Sequence, residues 1–252
     1  MALFRPFTAL FATLLLAGPA VLAAEDKALT LETVVAKARA ALTSDGAALE
    51  KVKTLRMEFV AYDQKGAEIN VTTLTLSTPG YRLQRTVERN RNFETAVCGG
   101  RLEGWTTRKL DALAAREIRS VPYEEFKKLQ DMSRDDLAFF AIPAAAVGTA
   151  TYKGLSDVDG RKTHAVEYAY VSGFRITRHF DAESFALVAS DQPTPKGELQ
   201  RQKVEALTKA DGIAFPAKES ITVDGKKSGE VTYDHIEVNP ALPNGLFDFP
   251  SF

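Results

Sequence analysis

Asp211-Gly212-Ile213-Ala214-Phe215-Pro216 opens the last part of the chain. Ile236-Glu237-Val238-Asn239-Pro240-Ala241-Leu242-Pro243-Asn244-Gly245-Leu246-Phe247-Asp248-Phe249-Pro250 ends it. Between them stands Asp224-Gly225, a strong hairpin signal, because a two-residue turn needs residues that tolerate positive φ. The stretch reads as the closing strands of a twisted antiparallel sheet.

Working back toward the N-terminus, the same pattern repeats. Leu199 to Thr208, Ala217 to Val223 and Gly229 to Val238 read as strands. Phe174, Ile176, Arg178 and Phe180 line one face of another, and Ser184 to Ser190 follows it after an Asp181-Ala182 turn. Thr151 to Leu155 and Thr163 to Val171 flank the Asp159-Gly160 turn. In the first half, Leu55, Met57, Phe59 and Ala61 alternate with polar residues, the mark of a strand with one buried face. Asn70 to Leu76 follows, with Leu74 and Leu76 on one face. Thr78-Pro79-Gly80 breaks it before Tyr81, Leu83 and Arg85. Ala96 to Cys98 and Leu102 to Thr107 continue around Gly99-Gly100, and Arg116 to Ser120 adds a short strand. Strands joined by turns this short pair antiparallel.

Two regions have a helical period. Thr30 is a plausible N-cap for Leu31 to Thr43, where Leu31, Val34, Val35, Ala38, Ala41 and Leu42 recur on one side. Ser44-Asp45-Gly46 stops that helix. In the middle, Glu124 and Glu125 sit in the first turn of Tyr123 to Gln130, where a helix dipole favours acids. Ser133 can cap a second turn that runs into Leu137 to Pro143. The expectation is two short helices inserted between two halves of a sheet.

The fold class is therefore mostly β with α (α+β). One open, strongly curved antiparallel sheet forms a half-closed β-barrel, with an N-terminal helix and a short helical insertion over its concave face. A curled sheet needs that face filled. The helices either fill it or leave an apolar cavity, and the sequence leaves both open.

Residues 1–23 read as a cleaved secretory signal: Arg5 in the n-region, an apolar run from Phe7 to Leu16, and small residues at Val21-Leu22-Ala23. The run is shorter than the roughly 20 residues of a membrane span. Residues 24–252 then form a single domain, exported, soluble and without a transmembrane span. Cys98 is the only cysteine, so no internal disulfide staples the fold. Removing Arg5 with the leader leaves 31 basic residues (32 less one) against 33 acidic ones. That balance gives no reason to expect nucleic acid.

Four ordered motifs resemble one family. Thr73-Leu74-Thr75-Leu76-Ser77-Thr78-Pro79-Gly80-Tyr81-Arg82-Leu83 resembles the strand-Pro-strand element of the outer-membrane lipoprotein-sorting carriers, the LolA/LolB-like proteins. Val97-Cys98-Gly99-Gly100-Arg101-Leu102-Glu103-Gly104-Trp105 is similar to their glycine turn and aromatic strand. His179 to Leu187 is similar to paired strands in the second half of related periplasmic proteins, and Leu246-Phe247-Asp248-Phe249-Pro250 to the strand that ends them. The resemblance runs from about Leu29 to the C-terminus. It implies a periplasmic, non-catalytic carrier that shields acyl chains of lipids or lipoproteins, with inner- or outer-membrane transfer partners. A carrier avoids exposing a chain to water at about 0.8 kcal/mol per CH₂. The family's soluble carrier has an Arg just before the proline, where this chain has Thr78, and the lipidated N-terminal Cys of its anchored receptor is missing. A second reading is a periplasmic sensor or adaptor that binds a protein partner.

Candidate site residues follow. Met57, Phe59, Leu74, Leu76, Leu83, Trp105, Phe174 and Ile176 line a lipid cavity, or else are ordinary core. Phe139, Phe140 and Ile142 form a lid, or else a helix end buried on the sheet. Arg82, Arg85, Arg89 and Arg91 contact a phosphate headgroup or an acidic partner, or else form a solvated edge that discourages sheet-to-sheet association. No cofactor is implied. His164, His179 and His235 have no metal-ligand spacing, and Cys98 reads as a small buried residue. No nucleophile elbow, P-loop or dinucleotide fingerprint is present, so no catalytic residue is assigned.

Overall fold

The computed structural model describes residues 29–88, 93–110 and 115–250. The expected leader at 1–23 lies outside these residues, as do Arg89 and Arg91.

Helix α1 (Leu31–Leu42) starts where Thr30 caps it, its hydroxyl accepting from the Thr33 amide at 3.3 Å. Val34, Val35 and Ala38 form its buried stripe. The helix stops before Ser44-Asp45-Gly46 as expected, and the same residues start another. The Asp45 carboxylate accepts from the Ala47 amide at 3.0 Å and caps a second, short helix, α2 (Gly46–Lys51).

The strands are β1 (Thr54–Tyr62), β2 (Glu68–Ser77), β3 (Tyr81–Glu88), β4 (Phe93–Gly99), β5 (Gly104–Lys109) and β6 (Glu117–Ser120). After α3 (Tyr123–Ala138) come β7 (Gly148–Val158), β8 (Arg161–Tyr170), β9 (Arg175–Asp181), β10 (Leu187–Pro193), β11 (Leu199–Ala210), β12 (Ile213–Val223) and β13 (Lys226–Val238). All belong to one antiparallel sheet, ordered β6-β5-β4-β3-β2-β1-β13-β12-β11-β10-β9-β8-β7. It is open and curved, with the helices over its concave face. Two meanders thus meet at the β1–β13 pair, and α3 leads from the β6 edge back toward the β7 edge.

Four sequence expectations need correction. The middle region is one continuous helix, not two: Ser133 is fully buried in mid-helix, and its hydroxyl donates to the Tyr81 carbonyl at 2.7 Å instead of capping a turn. Pro216 does not delay its strand. It lies inside β12 opposite Leu207, where the β11 register shifts and a ladder donor is dispensable. The strand expected from Ser184 begins at Leu187, because the Asp181 carboxylate gathers the amides of Glu183 (3.2 Å) and Ser184 (2.8 Å) into a turn. Finally, Leu246 to Pro250 is not a strand. Asn239 turns the chain out of β13 with φ of 55°, its side-chain oxygen accepting from the Lys53 amide at 2.7 Å. Pro240 and Pro243 offer no ladder donors, and the tail folds back over the sheet.

Cross-strand pairing assigns the two faces, since directly opposed residues share one. Leu55, Leu76 and Arg82 are opposed in turn across β1, β2 and β3, on the side of the helices. Thr75, Leu83, Cys98 and Trp105 are opposed across β2 to β5, on the other side. The concave side holds two apolar clusters. One joins Val34 and Ala38 of α1 to Val166, Tyr168 and Phe180; the other joins Leu49 and Val52 to Leu55, Leu74 and Leu76. On the convex side Leu83, Ala96, Cys98 and Trp105 pack under Leu246 and Phe247 of the tail. Adjacent glycines permit both coverings. A Cβ on Gly99 would come within 3.0 Å of Leu129 in α3, and one on Gly100 within 2.3 Å of the Phe247 carbonyl oxygen.

Candidate functional site

A cavity of about 180 Å³ lies between the helices and the concave face. Ala41 and Leu42 at the end of α1, with Phe139 and Phe140 after α3, form its roof. Leu55 and Met57 of β1, Ile176 of β9, and Phe215 of β12 give it apolar walls. Leu187, Leu207, Ala214 and Pro216 add to those walls, and the polar part of the lining is Asp135, Asp136, Arg178, Glu219 and Tyr233, with Ser190, Gln192 and Gln202.

The roof is held in an uncommon backbone conformation. Phe139 and Phe140 have φ of 47° and 68°, a region bulky residues rarely occupy. Their carbonyls are tied down. Arg39 of α1 donates to the carbonyls of Ala138 (2.6 Å) and Phe139 (2.9 Å), and the Tyr168 hydroxyl donates to that of Phe140 at 2.8 Å. The Phe140 ring meets Phe180 edge-on at 5.0 Å, and the Phe139 ring meets Phe215 at 6.1 Å. Arg178 sits 5.1 Å from the Phe140 ring centre.

The polar wall is a set of pairs. Asp135 accepts from Arg178 and, at 2.8 Å, from the Tyr170 hydroxyl. Asp136 accepts from Arg82 at 3.0 Å. Burial pushes the Asp136 carboxyl up, against the pull of Arg82, although its side chain, which borders the cavity, is 37% exposed. Glu219 accepts from the Tyr233 hydroxyl at 2.8 Å, and burial raises its carboxyl as well. Burial and then Glu219 drive the Tyr233 phenol well above its usual range.

The sequence candidates separate into several places. Met57, Ile176, Phe139 and Phe140 border the cavity. Leu74 and Leu76 share its face of the sheet but are sealed in the core beneath α2, and Phe59 is occupied by the Tyr233 ring at 5.4 Å. Phe174 packs on Tyr170 at 5.6 Å, just before β9. Leu83 and Trp105 do not reach the cavity at all, because they stand on the convex face beneath the tail. Ile142 does not cover it either. It is 41% exposed and borders an outer depression beside α1. Arg82 is not on a solvated edge; it is buried against Asp136. Arg85 is exposed on the convex side.

Arg178, Asp135, Asp136, Glu219 and Tyr233 were not singled out from the sequence. The signal for Arg178 was a charged residue at an inward position between Ile176 and Phe180. The other four give no such signal until the sheet register is known.

Other clusters are less open. Ser156, His179 and Asp191 form a hydrogen-bonded row, with Ser156 Oγ to His179 Nδ1 at 3.1 Å and His179 Nε2 to Asp191 at 3.0 Å. Burial alone would raise the Asp191 carboxyl. The Arg201 fork at 2.7 and 2.8 Å, and His179, overcome it and hold it down at about 2. Ser156 is also engaged by Thr163 at 2.8 Å, and the cavities described here do not open onto this row. It ties β7, β9, β10 and β11 together. Burial pushes the Cys98 thiol up to about 12, which makes it a poor nucleophile. Among the described residues no group of three His, Cys, Asp or Glu side chains is placed to hold a metal ion, and no helix is long and apolar enough to cross a membrane. A larger depression of about 660 Å³ lies on the convex face beside the tail, but Arg56, Thr73, Thr75, Arg85 and Glu237 give it a polar floor.

Solved structures share this architecture. A LolA superfamily protein from Nitrosomonas europaea aligns over 88% of this chain and 99% of its own, with a TM-score of 0.56 and 11% identity. A DUF1329 family protein from Desulfovibrio piger aligns over 86% and 97%, with a TM-score of 0.54 and 14% identity. A domain from Vibrio parahaemolyticus, named for outer-membrane lipoprotein sorting, aligns over 87% and 97%, with a TM-score of 0.54 and 13% identity. The chain has a LolA-like fold. No protein-family model matches the sequence, and no curated protein matches it.

Proposed function

We propose that this protein is an exported, periplasmic, non-catalytic carrier that shields the acyl chain of a lipid or lipoprotein against the concave face of its sheet. The observation that carries the reading is the roofed cavity: apolar strands below, and above them a two-phenylalanine link tied through its carbonyls to Arg39 and Tyr168 and packed through its rings on Phe180 and Phe215. Met57, Ile176, Phe139 and Phe140 are the contact residues on this reading, and the Vibrio domain's name supports it. At about 180 Å³ the cavity is below the roughly 300–1,000 Å³ of ligand pockets. On this reading the described conformation is the closed one. Loading moves the end of α1 and the Phe139–Phe140 link away from the sheet. Membrane partners on either side would deliver and receive the cargo.

The small cavity also favours a second reading, a sensor or adaptor whose concave face is essentially filled and which acts by binding a protein. Native mass spectrometry of protein purified without detergent, followed by organic extraction, separates the two. A co-purifying lipid, or uptake of an added one, supports the carrier. An empty protein that takes up neither lipid nor an apolar fluorescent probe removes it.

A further inference from the structure

The polar wall of the cavity is charge-balanced before any ligand enters. Asp135 is paired with Arg178 and Asp136 with Arg82. Glu219, 6% exposed, has no Lys or Arg within ion-pair distance among the described residues, and its hydrogen-bond partner is the neutral Tyr233 hydroxyl. Burial favours its protonated, uncharged form. Two cations thus face two anions, with one carboxyl left over that resists ionising. A ligand that brought a full charge here would bury it without a counter-ion, which is strongly unfavourable.

Hydrogen-bonding capacity is nevertheless left unused. Arg178 lines the cavity but offers a ligand little: its Nε–H, although without a partner, is itself shut off from the open space. Its guanidinium is spent on Asp135 through Nη2. Glu219 accepts through one carboxyl oxygen and can offer a proton when neutral. The amides of Gln192 and Gln202 and the Ser190 hydroxyl border the same space. This is a wall suited to a group that both accepts and donates and carries no charge.

We propose that the cavity selects lipids with an uncharged head bearing hydroxyl or ester oxygens, the chemistry of a monoacylglycerol, over lipids with anionic or cationic heads. The head accepts the proton of the neutral Glu219 carboxyl and donates to the amide oxygens of Gln192 and Gln202, while the first carbons of the tail lie against Met57, Ile176 and the Phe139–Phe140 roof. The inference rests on the carrier reading and goes further by naming the head chemistry.

The test keeps the tail constant and changes only the head. Radiolabelled 1-monooleoylglycerol, oleate, oleoyl-lysophosphatidylglycerol and oleylamine are equilibrated with the full mature protein below their critical micelle concentrations. The monoacylglycerol should bind about tenfold more tightly than the charged lipids, the effect of one buried hydrogen-bonding group satisfied rather than stranded. Glu219→Leu should bring it down to their level. Oleate, the lysophospholipid or oleylamine binding as tightly as the monoacylglycerol overturns the head selection while leaving the carrier reading in place. A preference unchanged in Glu219→Leu overturns the role of Glu219. Should that variant fail to fold, the wild-type series still decides the head class. Binding of none of the four removes the carrier reading, and this inference with it.

Discussion

Arg39 on α1 donates to the carbonyl oxygen of Phe139 at 2.9 Å, so the first helix holds the C-terminal end of the third. A cation at the carbonyl end of a helix also meets the negative pole of its dipole. Arg39→Met removes this bond and the one to Ala138. It should lower stability by about 1–3 kcal/mol in urea unfolding, with the helical circular dichroism signal largely kept. A loss within measurement error would show that the roof is secured by its phenylalanine packing alone.

The buried pair of Asp135 and Arg178 should be strongly coupled. Arg178→Met strands a carboxylate at 3% side-chain exposure, a class of change that costs about 3–5 kcal/mol. Asp135→Asn combined with Arg178→Met removes both charges and should recover most of that loss. A double variant as unstable as the two single losses summed would mean that the pair is not a unit. Chemical denaturation of the four proteins in the cycle measures it.

Gly100→Ala should dislodge the tail. The added methyl would stand 2.3 Å from the Phe247 carbonyl oxygen, which is backbone and has to move. Overpacking of this kind costs about 1–3 kcal/mol. The chain's single tryptophan, Trp105, reports it directly because Leu246 and Phe247 cover it. Its emission should shift to the red while the sheet signal is unchanged. An unshifted emission maximum would show that the tail tolerates the methyl.

Glu219 should make the folded state less stable as pH rises. Its carboxyl is raised by burial above the ordinary 4.5. Between that value and the raised one, the folded state keeps a proton that the unfolded state has released. Its stabilising share is therefore complete below 4.5 and is lost as pH climbs through the folded value. Asp136 is raised too and has the same sign, so the comparison is with Glu219→Gln, which removes only one of the two. The variant should match wild type near about pH 4 and exceed it near about pH 8. The gain is about 1.4 kcal/mol for each pH unit by which the folded value lies above the unfolded one. A constant difference across that range would place Glu219 in contact with water.

Most of the fold is legible in the sequence because its signals are local. Asp159-Gly160, Asp211-Gly212 and Asp224-Gly225 all take positive φ at both residues, as a two-residue hairpin requires. Thr30 and Gly99-Gly100 are equally local. The assignment of faces is not. Alternation says that Leu83 and Trp105 have a buried side, but here both sides of the sheet are covered, one by helices and the other by the tail. Leu83 on the convex face is as apolar as Leu74 on the concave one. The polar wall of the cavity is harder still. Asp135 meets Arg178 across 43 residues of chain, and Glu219 meets Tyr233 only through the register of β12 and β13. Ser133 misled for the opposite reason: a strong local capping signal lost to a long-range bond with Tyr81.

The pairing of β1 with β13 sets a timetable. In the finished sheet β1 lies at the centre, between β2 and β13. During synthesis, β1 to β6 can assemble early as a meander, yet one edge of β1 has nothing to pair with until nearly the whole chain has followed. Met57 and Phe59 lie along that waiting edge, and unpaired edges of this kind recruit other chains. The last step is also a contact between residues almost 180 positions apart, which makes it slow. A cell that makes this protein therefore has reason to keep the chain unfolded or escorted until its end arrives.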